Sequence, residues 1–289
     1  MTRPPSSRRV LPLFAAALLQ VGCESPDRAA GAAGNFDFAR PLASFALPEE
    51  LAEISGLATV DERTVACVED ETGTVFLLDV TTGAVTTRLP FGKDGDYEGL
   101  ARLGDAYWVL RSDGRLDELR PDGDRLRRSR RLELDLPHDE LEGLDASADG
   151  RQLLIAPKSE PRKKRDRDAR RVYRLDPSVD EPQPTVLFET TAAAVAAQLL
   201  RLGADAEPDV RLSSIAEQPG TGLYYTLSGA DRTLLVFTAD GAVCGAHRFA
   251  KKDLPQPEAL TFLPSGELVV SSEGGKGSAR LVVYRPVGG

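Results

Sequence analysis

Short apolar runs, each long enough for one β-strand, recur along the chain from about residue 40. The run TVFLLDV at residues 74–80 is followed by the turn Thr82-Gly83, and the run LLVFT at 234–238 is followed by Asp240-Gly241. Runs of this length that are rich in β-branched residues and closed by glycine turns are typical of antiparallel strands joined by hairpins. The pattern therefore predicts an all-β protein.

One four-residue motif precedes each group of strands. It reads Ser-Gly-Leu-Ala, Glu-Gly-Leu-Ala, Glu-Gly-Leu-Asp, Ser-Ser-Ile-Ala and Glu-Ala-Leu-Thr, beginning at Ser55, Glu98, Glu142, Ser213 and Glu258. The spacings are 43, 44, 71 and 45 residues. A four-stranded unit of roughly 40 to 45 residues is the blade of a β-propeller, in which the blades surround a central channel. Five units predict five blades of four antiparallel strands.

The two ends of the chain complete the predicted ring. The fifth unit shows only three strands, and the segment Ala39–Pro48 supplies the fourth, which removes an open sheet edge. The long third spacing contains two insertions, a basic loop at 161–171 and an Ala- and Leu-rich stretch at 190–209 that predicts a helix. The alternative is a sixth blade in this region, although it lacks strand-like runs.

The first 23 residues have the pattern of an export signal. Residues 1–22 contain three arginines, a short apolar stretch and small residues before Cys23, which resembles the lipidated cysteine of bacterial lipoproteins. Residues 23–36 then form a small, polar tether, and 37–289 form the propeller domain. We therefore expect a lipoprotein anchored in the membrane of the cell envelope. The alternative is a periplasmic or secreted protein without the lipid.

Composition excludes several classes of function. The net charge is −9, which disfavours nucleic acid as a partner, and two histidines leave little room for a His-rich zinc site or a Ser-His-Asp triad. Cys67 and Cys244 lie in apolar runs, so we interpret them as small buried residues, with a disulfide between them as the alternative.

The first residue of each motif is the candidate functional position. The first strand of a propeller blade lines the channel, so Glu98, Glu142 and Glu258 converge and repel one another unless a cation, a basic partner or a raised pKa compensates. The second strands end at further polar residues near the same mouth. The predicted channel and binding residues are Glu53, Ser55, Asp70, Glu98, Arg111, Glu142, Lys158, Ser213, Glu258 and Glu273.

Three interpretations of this ring remain open. In the first, Arg111 and Lys158 pair with the glutamates in a purely structural network. In the second, Glu98, Glu142 and Glu258 bind a metal ion, and their hard oxygen ligands favour Ca²⁺. In the third, the carboxylates are catalytic.

Fragments around these residues occur in a characteristic order. They are E-I-S-G-L-A from Glu53, E-D-E-T-G from Glu69, Y-E-G-L-A from Tyr97, L-E-G-L from Leu141, Lys158-Ser-Glu, L-P-Q-P-E-A-L from Leu254, and L-V-V-S-S-E to Glu273. Together they resemble the SdiA-regulated family of bacterial exported propellers, over nearly the whole chain from residue 40. The resemblance implies a lipid-anchored envelope propeller with a calcium site and no established activity. The chain is more distantly similar to esterase-like phytase and gluconolactonase-type propellers.

These observations favour a monomeric ligand- or protein-binding module, or a scaffold, over an enzyme. Its partner is expected to be a ligand or protein of the cell envelope, and its contact with the membrane is the lipid anchor. The alternative function is metal-dependent hydrolysis of phosphate esters or lactones, with the channel carboxylates holding the cation.

Overall fold

The structure is a computed structural model that describes residues 36–201 and 210–287. The predicted signal peptide at 1–22, the lipidation site Cys23 and the tether up to residue 35 lie outside the described residues.

Strands dominate the described part of the chain. They are β1 (Ala43–Ala46), β2 (Ile54–Thr59), β3 (Thr64–Glu69), β4 (Thr74–Asp79), β5 (Val85–Pro90), β6 (Tyr97–Leu103), β7 (Ala106–Arg111), β8 (Arg115–Asp122), β9 (Arg125–Glu133), β10 (Leu141–Ala146), β11 (Leu153–Pro157), β12 (Ala169–Leu175), β13 (Thr185–Thr191), β14 (Ser214–Gln218), β15 (Leu223–Ser228), β16 (Thr233–Phe237), β17 (Val243–Arg248), β18 (Gln256–Phe262), β19 (Leu268–Glu273) and β20 (Arg280–Tyr284). One α-helix, α1 (Ala192–Arg201), lies between β13 and β14.

The strands form five four-stranded antiparallel sheets, so the prediction of a five-bladed propeller is confirmed. Blades one to four are β2 to β5, β6 to β9, β10 to β13 and β14 to β17. Blade five consists of β18, β19 and β20 with β1 as its outer strand, and Ala43 lies opposite Val283 in that pairing. The N-terminal strand therefore closes the ring, as the sequence predicts.

Phe36, the last residue of the predicted tether, packs against the propeller. Phe36 is only 4% exposed, and its ring packs 6.0 Å from that of Tyr225 and 6.1 Å from that of Phe262. It also forms a β-bridge with Pro286. The aromatic side chain was assigned to the tether because it stands alone in a small, polar stretch, whereas its packing partners are distant in sequence.

The first strands of the five blades, β2, β6, β10, β14 and β18, pack against one another around the channel. In blades one to three, glycine at the second motif position allows this close approach. A Cβ atom on Gly99 would lie 2.5 Å from the carbonyl oxygen of Glu142 in the next blade. The Ser55 hydroxyl adds an inter-blade bond by donating to the carbonyl oxygen of Tyr97 over 2.7 Å.

Both predicted insertions of blade three lie largely outside its four strands. Helix α1 lies within the predicted insertion at 190–209 and buries Val195 and Leu199. The predicted basic loop at 161–171 contains a short 3-10 turn at Lys164–Asp166, and its last residues belong to β12. No helix among the described residues has the length and apolar character needed to cross a membrane.

The two described cysteines belong to different hydrophobic clusters. Cys67 is buried with β2 and β3, while Cys244 packs against the cluster between blades four and five. They form no disulfide. Cys67 is fully buried, as predicted, whereas Cys244 is only partly buried.

We expect Gly99→Ala to lower the free energy of unfolding by about 2 kcal/mol, because the new methyl group meets backbone atoms of the adjacent blade. Urea unfolding measures the loss. Gly277→Ala is the control, since a Cβ there meets its nearest neighbour at an ordinary 3.6 Å. Equal stability of the two variants would contradict the close-approach argument.

Candidate functional site

The channel mouth is the face where the first strand of each blade begins and the second strand ends. Antiparallel pairing of β2 with β3, and of the corresponding strands in the other blades, brings the motif residues and the ends of the second strands to this one face. The fold therefore places most of the predicted site residues in one region.

Lys158 and Glu142 form the central ion pair of the channel mouth. Lys158 follows β11, and its Nζ lies 2.5 Å from Oε1 of Glu142, which is only 6% exposed. Burial raises the pKa of Glu142 to about 7, although the Lys158 ammonium opposes this rise. The ammonium also interacts favourably with Glu258 and Glu98. One lysine therefore compensates a group of glutamates.

Glu98 has the most perturbed carboxyl of the mouth for which a value is resolved. Burial and the nearby charges of Glu142 and Asp96 together raise its pKa to about 9. A carboxyl with this pKa favours its protonated form at neutral pH. Sequence reasoning missed Asp96, although an acid two residues before the second motif was visible.

Glu258 and Glu273 extend the cluster of acidic side chains into blade five. Glu258 is 7% exposed, and burial raises its pKa, while Lys158, Gln256 and Ser213 oppose the rise. Glu273, at the end of β19, accepts a hydrogen bond of 2.7 Å from Nε2 of Gln256. Burial and the charge of Glu258 raise the pKa of Glu273 to about 7.

Asp70 connects the mouth to blade one. Burial raises its pKa to about 6, with further contributions from Glu53 and Glu69. Glu53 itself is exposed. Glu53 and Glu69, two neighbours that raise the pKa of Asp70, border a cleft of about 510 Å³, where Arg88 forms an ion pair with Glu50. The glutamates that line the cleft are Glu49, Glu50, Glu53, Glu69 and Glu71.

Two predicted residues have other partners. The ion pair of Arg111 is with Asp113, at 3.4 Å, and not with a channel glutamate. The Ser55 hydroxyl is used in the bond between blades one and two. Of the two basic residues in the structural interpretation, only Lys158 therefore pairs with a ring glutamate.

The calcium site predicted in the ring stays a prediction. Within residues 36–201 and 210–287, no three Asp, Glu, His or Cys side chains form a group that could hold a metal ion. The Lys158 ammonium lies beside Glu142, one of the three predicted ligands. A calcium ion bound to Glu142 would therefore have to displace this ammonium.

The group can nevertheless attract positive charge and exchange protons. Four carboxyl groups with raised pKa values interact with the Lys158 ammonium, those of Glu98, Glu142, Glu258 and Glu273. The pKa of Asp70 is also raised, and this carboxyl interacts with Glu273. Perturbed carboxyls in a concave region are typical of binding and acid–base sites. A further cation would stabilise their ionised forms.

Comparison with solved structures shows the same fold. The chain is similar to the glutaminyl cyclase of Myxococcus xanthus, with 14% identity over 85% of this chain and 95% of that one and a TM-score of 0.57. It is also similar to a luciferin-regenerating enzyme, with 13% identity over 86% of this chain and 96% of that one and a TM-score of 0.52. At these identities the likeness is one of fold alone.

No protein-family model matches the chain, and no curated protein sequence matches it. The resemblance to the SdiA-regulated family therefore has no support from these comparisons beyond the propeller fold.

We expect Lys158→Met to destabilise the protein by about 1–2 kcal/mol at pH 8, because it leaves Glu142 buried without its counterion. This is less than for a fully buried pair, since about a third of the Lys158 side chain stays in solvent. At pH 5 the loss should be smaller, because Glu142 is protonated below its pKa of about 7. Urea unfolding at both pH values measures the difference.

Lys163→Met, in the exposed basic loop, is the control for this experiment. An equal loss of stability at pH 5 and pH 8 in Lys158→Met would show that Lys158 does not act through the charge of Glu142.

Proposed function

We propose that this protein is a β-propeller that binds the positively charged group of a ligand at its channel mouth. The observation that carries the proposal is the set of five carboxyls with raised pKa values at the mouth, four of which share the single ammonium of Lys158. Each raised pKa reports a carboxylate that lacks sufficient compensation for burial and for the charge of its neighbours. A ligand cation supplies that compensation.

A buried acceptor atom supports a ligand at the same place. Among the described residues, Oδ1 of Asp70 is buried and has no hydrogen-bond partner. Buried polar atoms are nearly always satisfied by protein, water or ligand. An ammonium or guanidinium group would donate to this atom and also balance the charge of Glu53 and Glu273.

The proposal includes export and anchoring through Cys23, with an envelope ligand or protein as the partner. The direction of the strands supports a defined orientation. β1 runs toward the mouth, since the Glu49–Leu51 turn and the start of β2 follow it. Phe36, which pairs with Pro286, therefore lies at the opposite face. An anchor on the N-terminal side would leave the mouth turned away from the membrane.

We expect saturable binding of a cation that becomes tighter from pH 6 to pH 9. The cation competes with protons held by carboxyls of pKa about 6 to about 9, so binding releases protons. Each proton displaced strengthens binding by at most about tenfold per pH unit. Calorimetry in two buffers of different ionisation enthalpy, with calcium and with spermidine as probes, measures both affinity and proton release.

Glu98→Gln should weaken binding at least tenfold, while Glu181→Gln, an exposed residue outside the mouth, should leave it unchanged. Tighter binding of spermidine than of calcium would identify an organic cation as the natural ligand class. Tighter binding of calcium would support the predicted calcium site. Binding of neither probe at any pH would overturn the proposed function.

A hydrolase of phosphate esters or lactones is the second candidate. It is favoured by two neighbouring carboxyls with separated pKa values, about 7 for Glu142 and about 9 for Glu98. Such a pair can act as a general base and a general acid near neutral pH. Turnover of a phosphate-ester and lactone panel that disappears in Glu98→Gln but persists in Glu181→Gln would favour this candidate. Absence of turnover would leave binding alone.

A further inference from the structure

A second polar group lies deeper in the channel than the mouth. The fourth residues of the five motifs form one level of the ring, and each is at most 7% exposed: Ala58, Ala101, Asp145, Ala216 and Thr261. Three of them are alanines, whereas Asp145 and Thr261 are polar. Solvent is therefore almost excluded at this level, and a carboxyl group is buried there.

Three side chains at this level or next to it are joined by hydrogen bonds: those of Asp145, Thr261 and Thr59, the residue that follows Ala58. Oδ2 of Asp145 in blade three lies 3.2 Å from Oγ1 of Thr261 in blade five. Oγ1 of Thr261 lies 3.2 Å from Oγ1 of Thr59 in blade one. The Thr59 hydroxyl lies 2.7 Å from the carbonyl oxygen of Phe262. The series connects three blades, of which three and five are not neighbours in the ring.

This series has fewer hydroxyl hydrogens than contacts. The carbonyl oxygen of Phe262 can only accept, so Thr59 donates its one hydroxyl hydrogen there. Thr261 has one hydrogen for its two contacts, which are with Asp145 and with Thr59. The two hydroxyls therefore supply two hydrogens for three contacts. All three contacts are hydrogen bonds only if the Asp145 carboxyl supplies the third hydrogen.

We propose that a protonated Asp145, with Thr261 and Thr59, forms a closed floor of the channel, so that the channel mouth is a blind pocket open at one face only. A ligand then enters and leaves by the mouth, and the floor holds only while Asp145 keeps its proton. The other carboxyl oxygen of Asp145 accepts from the backbone N–H of Ala146 over 2.7 Å, so a protonated group is fully satisfied.

No nearby charge stabilises the ionised form of Asp145. Burial raises its pKa well above the usual range, and the hydrogen bond from the backbone N–H of Ala146 opposes this rise. The strands packed against β10 carry few charged groups, and none of them contributes to this shift. These groups are Glu98 and Arg102 on β6, Arg111 on β7, Glu217 on β14 and Glu258 on β18.

The protonation state can be read directly by NMR of the unmutated protein labelled with ¹³C-aspartate. We expect the Asp145 carboxyl signal, assigned by its absence in Asp145→Asn and its displacement in Thr261→Val, to stay at the position of a protonated acid at pH 8. Exposed aspartates, such as Asp149, should have moved to the carboxylate position below pH 6. Movement of the Asp145 signal together with theirs would overturn the proposal.

Stability provides an independent test. Asn can donate to Thr261 through Nδ2 and accept from Ala146, so Asp145→Asn should keep the floor. Between pH 6 and pH 10 the unfolding free energy of this variant should decline less than that of the unmutated protein. This decline is expected because a carboxyl whose pKa is raised in the folded state destabilises the fold as pH rises. Thr261→Val should lower the urea midpoint at every pH, whereas Thr261→Ser should restore most of it.

The channel mouth also contributes to this pH dependence, so the comparison is repeated in a Glu98→Gln background. The effect of Asp145→Asn should be the same in both backgrounds. Its disappearance there, or a Thr261→Val variant as stable as the parent, would contradict the floor. Neither readout involves a ligand, so this proposal and the proposed function can fail separately.

Discussion

The close approach of the five first strands is the constraint on which the rest of the structure depends. Backbones of adjacent blades lie so near that no Cβ fits at Gly99 without displacing its neighbour. This packing brings the first residue of every motif to one narrow ring. Three of the five are glutamates, so the fold gathers negative charge where water is scarce and each charge is costly.

The protein handles buried acids in two different ways along the channel. At the mouth, the single ammonium of Lys158 offsets the carboxylates only in part, which leaves a region that favours a further cation. Deeper in the channel, Asp145 is compensated by a proton and a series of hydroxyl groups, and no charge is involved. The first arrangement leaves an open surface of carboxyls that can exchange protons and attract a cation. The second closes the channel and joins blades three, five and one.

The propeller itself was predictable because the repeated motif reports blade number, strand order and the face on which the glutamates meet. Which basic residue pairs with those glutamates was not predictable. The strand register places Ser112, and not Arg111, at the position equivalent to Lys158, and Arg111 pairs with Asp113. Asp145 was missed although its motif ends in Asp where three others end in Ala. Its partner Thr261 is distant in sequence, and the hydrogen-bond series appears only once the ring is closed.

The central claim is that the mouth carboxyls hold protons at neutral pH for want of positive charge. A ¹³C-glutamate NMR titration of the unliganded protein from pH 4 to pH 10 tests it directly, with signals assigned through single Glu→Gln variants. The account predicts midpoints near 7 for Glu142 and near 9 for Glu98. Midpoints for both below about 5, the range of exposed glutamates, would contradict the account. They would show that the charges of the mouth carboxylates are already compensated without a further cation.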